Sequence, residues 1–144
     1  MRYPAILMAE DDEDDRLLFQ EALQENQVTN PLYFAEDGED LMAFLRHQGK
    51  YVNRSLSPRP GLILLDLNMP KKDGRQALAE IKSDAELKSI PVVVLTTSRE
   101  EQDVVRSYSS GVNSFIVKPA HFNNLVEVAA FIGHYWLELV KLPD

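Results

Sequence analysis

Five short apolar runs, each followed by a helical pattern, constrain the fold more than any other feature of this sequence. The apolar runs occupy residues 6–9, 32–35, 62–65, 92–95 and 114–117. Patterns with the spacing of helices follow at residues 16–25, 39–45, 75–83, 100–109 and 122–141. Strand followed by helix, five times over, predicts a parallel sheet that is covered by helices on both faces.

The first, third and fourth runs are apolar without interruption, which is typical of parallel strands buried on both sides. An antiparallel α+β fold is the alternative on pattern alone. Residues 47–61 are rich in Gly, Pro, Ser and Asn and are predicted to form a long loop before the third strand.

Composition limits the classes of function. The 144 residues suit one domain, and the absence of cysteine excludes disulfides and thiolate metal sites. A net charge of −8 argues against broad binding to nucleic acid or anionic lipid. The sequence has no signal peptide and no apolar stretch near the ~20 residues that span a bilayer, so a cytoplasmic protein is expected. Six of the 23 acidic residues stand together at positions 10–15.

Polar residues follow four of the predicted strands directly. Glu10 and Asp11 follow the first, Asp66 the third, Thr96 the fourth and Lys118 the fifth. In an open parallel sheet, ligands bind beyond the carboxyl ends of the strands. We therefore expect three carboxylates, a hydroxyl and an ammonium group to converge on one crevice.

These residue types suit phosphoryl chemistry with a hard cation. Three close carboxylates repel one another unless a cation lies among them, and a few oxygen ligands suit Mg²⁺. No histidine stands at the four strand ends, which disfavours zinc and copper. A carboxylate such as Asp66 can attack phosphorus to give an acyl phosphate. Lys118 and Thr96 can supply a positive charge and a hydrogen bond to the phosphoryl oxygens.

Four motifs carry a resemblance to a known family. They are ILMAEDD at 6–12, LLDLNMPKKDG at 64–74, IPVVVLTTS at 90–98 and SFIVKP at 114–119. In these residues and their spacing, the chain resembles the receiver domain of two-component response regulators. The resemblance implies a flavodoxin-like doubly wound sheet of five strands, in the order 2-1-3-4-5, with five helices.

The resemblance also implies a phosphoacceptor and its metal. Asp66 would accept a phosphoryl group from a phosphohistidine on a sensor histidine kinase. Asp11, Asp66 and the backbone carbonyl of Asn68 would bind Mg²⁺, with Glu10 contributing through water. Such a protein would phosphorylate itself and lose the group slowly, and would not be a turnover enzyme.

Four further residues take roles from the same resemblance. Thr96 and Lys118 would hold the phosphoryl group, and the Lys118–Pro119 peptide would be cis. Phosphorylation would move Thr96, and Phe115 would turn inward as an aromatic switch. The surface of the fourth helix, fifth strand and fifth helix would change shape with it.

Several of these residues have simpler interpretations. Glu10 and Asp11 could begin a helix, where acidic residues favour the positive end of the dipole, and residues 12–15 are best explained in this way. Thr97 competes with Thr96 for the hydroxyl role. Phe115 could be an ordinary core residue.

The expected output is protein contact or onward phosphotransfer, since residues 1–144 read as one receiver domain without an output domain. The long loop at 47–61 and the apolar end of the last helix resemble single-domain regulators that work with bacterial phytochromes. From this subfamily we predict a phytochrome-type kinase partner and a homodimer built on the fourth and fifth helices.

Three competing functions remain. A haloacid-dehalogenase-type phosphatase also uses an aspartate at a strand end, but it needs a second aspartate where this chain has Asn68. A flavodoxin-like electron carrier needs a phosphate-binding loop after the first strand, and that loop is acidic here. A degenerate receiver that acts as a phosphorylation-independent adaptor is the third.

Overall fold

The computed structural model describes residues 4–53, 55, 57–67, 69, 71, 74–96, 114–117 and 122–134. The strands are β1 (Ile6–Ala9), β2 (Leu32–Ala35), β3 (Leu62–Asp66), β4 (Val92–Thr96) and β5 (Ser114–Val117). The helices are α1 (Glu13–Glu25), α2 (Gly38–Arg46), α3 (Gly74–Ser83) and α4 (Phe122–Phe131). Helix α4 corresponds to the fifth predicted helix, because the helix predicted at 100–109 lies outside the described residues.

The strands form one parallel sheet in the order β2-β1-β3-β4-β5. In register, Ala9 pairs with Ala35 on one side and Leu65 on the other, while Asp66 pairs with Leu95. The predicted parallel α/β fold is thereby confirmed, and the antiparallel alternative is wrong. All the carboxyl ends of the strands face one edge of the sheet, which is the geometry that collects residues from distant parts of the chain.

Apolar side chains cover both faces of the sheet. Leu7, Ile63 and Val92 belong to the cluster that includes α2 and α3, whereas Ile6 and Leu62 belong to the cluster that includes α1 and α4. Adjacent strand residues thus enter opposite cores, as the pleat of a strand requires. None of the described helices combines the length and the apolarity that crossing a membrane requires.

Helix α1 begins at Glu13, three residues before the predicted start. The carboxylate of Asp12 explains the difference, because it accepts hydrogen bonds from the backbone N–H groups of Asp14 (2.9 Å) and Asp15 (3.2 Å). An aspartate at this position satisfies donors that the helix itself leaves unpaired. The expectation that residues 12–15 form a helix start is confirmed.

The described parts of the segment 47–61 pack against α2 and the amino edge of the sheet. It contains a short 3₁₀ helix, Gly49–Tyr51, in addition to the predicted loop. Tyr51 packs edge-on against Phe44, with ring centroids 5.1 Å apart, and its hydroxyl donates to Asp40 at 2.7 Å. Burial, together with the hydrogen bond to Asp40, raises the pKa of Tyr51. At the far end, the N–H of Gly61 donates to the carbonyl of Ala5 at 2.8 Å.

Helix α4 lies against α1. The side-chain amide of Asn26 donates to the carbonyls of both Ala22 and Val126, each at 2.9 Å. After Phe131 the chain widens into a π-helical turn over residues 132–134. The apolar end of this helix starts with Phe131 and Ile132, of which Phe131 is 47% exposed and Ile132 is fully buried. The rest of that apolar end, from residue 135, lies outside the described residues.

Candidate functional site

Three carboxylates meet at the carboxyl edge of the sheet. Glu10 and Asp11 directly follow β1, and Asp66 is the last residue of the neighbouring strand β3. One oxygen from each of these side chains lies within 4.8 Å of the other two. Glu10 is 1% exposed and Asp66 4% exposed, whereas Asp11 faces solvent.

Backbone groups of neighbouring residues fix both the main chain and the side chain of Glu10. Its N–H donates to the carbonyl of Ala35 at 2.9 Å, and its Oε1 accepts from the N–H of Asp12 at 3.3 Å. Because Asp12 caps α1, the carboxylates lie beside the positive end of that helix. Three carboxylates this close repel one another, and a cation among them offsets that repulsion. The donor set therefore fits a hard divalent cation, with exposed Asp11 on the solvent side.

Gly74 brings the start of α3 against the residues of the site. Its N–H donates to the carbonyl of Leu67 at 3.0 Å. A Cβ atom at this position would overlap the backbone oxygen of Asp66 and come 2.6 Å from the Cα of Leu67. The sequence shows only a glycine before a helical pattern, because the close approach to Asp66 and Leu67 depends on how α3 packs.

A fourth carboxylate at this edge, Asp37, was not predicted from the sequence. It follows β2 and is 4% exposed. The Asp37 carboxylate caps α2 by accepting a hydrogen bond from the N–H of Asp40 at 2.7 Å. Its second oxygen lies 3.5 Å from the ammonium group of Lys71, in the loop between β3 and α3. The signal in the sequence was an aspartate just after the second apolar run.

The remaining predicted site residues are described only in part or not at all. The backbone of Thr96 ends β4 and pairs with Val117, the last residue of β5. The side chains of Thr96 and Phe115 lie outside the described part of the structure. So do Asn68, Lys118 and Pro119, and with them the expected cis peptide.

Comparison with known proteins places the chain in a family. The family model for the response regulator receiver domain matches residues 6–130. The response regulator Rcp1 of Synechocystis sp. (strain ATCC 27184 / PCC 6803 / Kazusa) is 50% identical over 138 residues, which cover 96% of this chain and 92% of Rcp1.

Two solved structures resemble the chain along almost its whole length. The phosphorylated cyanobacterial phytochrome response regulator RcpA is 46% identical, with a TM-score of 0.88 and 99% of each chain covered. The Mn²⁺-bound form of Rcp1 is 49% identical, with a TM-score of 0.86, and the match covers 98% of this chain and 99% of that one.

These matches decide between the competing classes. Response regulators of this type are signalling proteins and not turnover enzymes, so the phosphatase and electron-carrier interpretations are set aside. Homology to phytochrome response regulators agrees with a phosphoacceptor role in two-component signalling. With the receiver model matched over residues 6–130 and Rcp1 half identical, the chain belongs to the response regulator receiver domain family.

Proposed function

We propose that Asp66 is the phosphoacceptor of this receiver domain. The observation that carries the proposal is the position of Asp66, which is buried at the end of β3 with Glu10 and Asp11 within 4.8 Å. The phosphorylated state of the related RcpA supports the same chemistry. A phosphorylation-independent adaptor would have no use for three carboxylates in this arrangement.

The donor is a phosphohistidine on a sensor histidine kinase. A carboxylate oxygen of Asp66 attacks phosphorus, so that a P–O bond forms while the P–N bond to the imidazole breaks. The leaving nitrogen keeps the electron pair of the broken bond and the imidazole is restored. The product is an acyl phosphate whose nearly dianionic charge stands at the carboxyl edge of the sheet.

The cation of the site is Mg²⁺. Glu10, Asp11, Asp66 and the backbone carbonyl of Asn68 would hold it, with Glu10 acting through water. When bound, Mg²⁺ offsets the charge of the phosphoryl oxygens during transfer. The Mn²⁺-bound structure of Rcp1 supports a divalent cation in this family.

Thr96 and Lys118 complete the site. The Thr96 hydroxyl donates a hydrogen bond to the phosphoryl group, and the Lys118 ammonium supplies a compact positive charge, with a cis peptide before Pro119. Phe115 follows the movement of Thr96, and the outer surface formed by the helix predicted at residues 100–109 and by α4 changes as a result. The complete domain has five strands and five helices, with residues 100–109 as the fourth helix.

The partner is a phytochrome-type kinase in the cytoplasm. The name of the related RcpA, a cyanobacterial phytochrome response regulator, supports this choice. Output passes through protein contact or onward phosphotransfer. The protein works as a homodimer through the helix predicted at residues 100–109 and through α4.

Labelling by acetyl phosphate tests the phosphoacceptor and its metal together. We expect an acid-stable, base-labile phosphoprotein in Mg²⁺, loss of labelling in excess EDTA, and recovery when Mg²⁺ is restored. The carboxylates repel the incoming phosphoryl group unless a cation offsets them, which is the reason for the dependence. Intact-mass spectrometry follows the labelled fraction. Equal labelling with and without Mg²⁺ would contradict the metal site, and no labelling at all would favour the adaptor.

Light scattering after size-exclusion chromatography tests the homodimer. We expect a dimer at micromolar concentration and a monomer for Phe131→Glu, because Phe131 is 47% exposed on the helix assigned to the interface. Val52→Glu is the matched control, since Val52 is 70% exposed but follows the short helix Gly49–Tyr51, which packs against α2 and not against α4. A strict monomer, with and without a phosphoryl mimic, would exclude the dimer.

A further inference from the structure

Lys71, which stands between β3 and α3 in the chain, forms an ion pair with the residue that caps α2. The ammonium group of Lys71 lies 3.5 Å from Oδ2 of Asp37. The Asp37 side chain is 6% exposed and that of Lys71 61% exposed, so one partner is fixed inside the protein and the other reaches it from the surface. Lys71 itself has a left-handed backbone, with φ 62°, a conformation that is unfavourable for residues other than glycine.

Asp37 is a rigid anchor for this contact. While Oδ2 faces Lys71, Oδ1 accepts a hydrogen bond from the N–H of Asp40 at 2.7 Å and so caps α2. Leu41 and Phe44 hold α2 in the core. Because one oxygen of Asp37 caps a helix that is packed in the core, the carboxylate keeps its position, and its other oxygen holds the ammonium group of Lys71.

Lys71 stands in the stretch of chain that directly follows the proposed acceptor, Asp66. Leu67 follows Asp66, and its carbonyl accepts from the N–H of Gly74 at the start of α3. Lys71 lies between Leu67 and Gly74 in the chain, and its ion pair with Asp37 connects this part of the chain to the start of α2. Asn68, whose backbone carbonyl is proposed as a cation ligand, stands between Leu67 and Lys71 in the chain.

We propose that the Lys71–Asp37 ion pair positions the β3–α3 loop for cation binding, which makes Lys71 a positioning residue of the site. This inference rests on the proposed function, because it assumes that the carboxylate cluster binds Mg²⁺. Partners that orient metal ligands commonly change affinity by about 10–100-fold when they are removed.

The sign of the effect separates positioning from simple electrostatics. A lysine near a cation site repels the cation, so removal of its charge alone would tighten Mg²⁺ binding. Loss of a positioning contact weakens binding instead. Lys71→Ala therefore gives opposite results under the two explanations.

The experiment compares four variants of the full chain with the wild type. Lys71→Ala and Asp37→Asn both remove the ion pair, and the second keeps the helix cap because asparagine caps as well as aspartate. Lys71→Arg preserves the pair. Lys88→Ala is the control for charge, since Lys88 is an exposed lysine in the turn before β4. Mg²⁺ affinity is measured by NMR titration, loop order by hydrogen exchange without metal, and folding by thermal melting.

We expect the Mg²⁺ dissociation constant to rise about tenfold in Lys71→Ala and Asp37→Asn, at the low end of such effects because Lys71 is exposed. Lys71→Arg and Lys88→Ala should bind like the wild type. The backbone amides of residues 67–69 and 71–73 should exchange faster in Lys71→Ala in the absence of metal, with a nearly unchanged melting temperature; Pro70 has no amide hydrogen.

Unchanged or tighter Mg²⁺ binding in Lys71→Ala would overturn the inference, and so would unchanged exchange of the loop. Acetyl-phosphate labelling of the wild type distinguishes these results from failure of the proposed function. A labelled, Mg²⁺-binding wild type with an unaffected Lys71→Ala variant would refute only the positioning role. A wild type that neither binds Mg²⁺ nor becomes labelled would refute both.

Discussion

Asp66→Asn is expected to abolish labelling by acetyl phosphate. The substitution keeps the shape of the side chain but replaces the nucleophilic carboxylate with an amide, which forms no acyl phosphate. Asp66 is 4% exposed at the end of β3, so the isosteric change disturbs the packing little. The labelled fraction, measured by intact-mass spectrometry in Mg²⁺, should fall to the background of the unlabelled protein.

Asp14→Asn is the matched control for this loss. It removes the same charge from the same acidic protein, but Asp14 is exposed in the first turn of α1 and belongs to no part of the site. It should label like the wild type. If Asp66→Asn became phosphorylated to the wild-type level, with an acid-stable and base-labile bond, another residue would be the acceptor.

Gly74→Ala is expected to lower stability by about 3 kcal/mol, the upper part of the range for overpacking. The added Cβ would overlap the backbone oxygen of Asp66 and the Cα of Leu67, and backbone atoms cannot move aside as a flexible side chain does. For a chain of this length such a loss lowers the melting temperature by on the order of 10 °C. Thermal unfolding followed by circular dichroism measures the change. Labelling should fall as well, because Asp66 must shift.

Gly49→Ala separates this steric effect from the general cost of replacing a glycine. Gly49 has a φ of +59° but nothing within 4 Å of the position of its Cβ. The expected cost is about 1 kcal/mol, from backbone conformation alone. If the two variants lost the same stability, the close approach at Gly74 would not be a significant constraint.

The sheet and the carboxylate cluster could be predicted from sequence because local signals determine both. Uninterrupted apolar runs mark buried parallel strands, and parallel strands place their carboxyl ends at one edge. Glu10, Asp11 and Asp66 come directly after such runs, so their meeting follows from topology without knowledge of packing.

The features that sequence did not predict depend on contacts between distant segments. Lys71 and Asp37 are separated by more than thirty residues and have no shared pattern. The tight approach at Gly74 arises from the way α3 packs against the end of β3. The apolar pattern alone placed the start of α1 three residues late, whereas the acidic residues 12–15, with Asp12 as the capping residue, marked the start correctly.

The acidic run at residues 10–15 has a practical consequence for engineering. Its six members differ in their surroundings: Glu10 is buried beside Asp66, Asp12 caps α1, and Glu13 and Asp14 are exposed. Isoelectric point and net charge treat all of these carboxylates alike. A surface redesign for solubility or crystallisation can therefore recode positions 13 and 14 with little effect, whereas the same change of charge at position 10 would alter the interior of the protein.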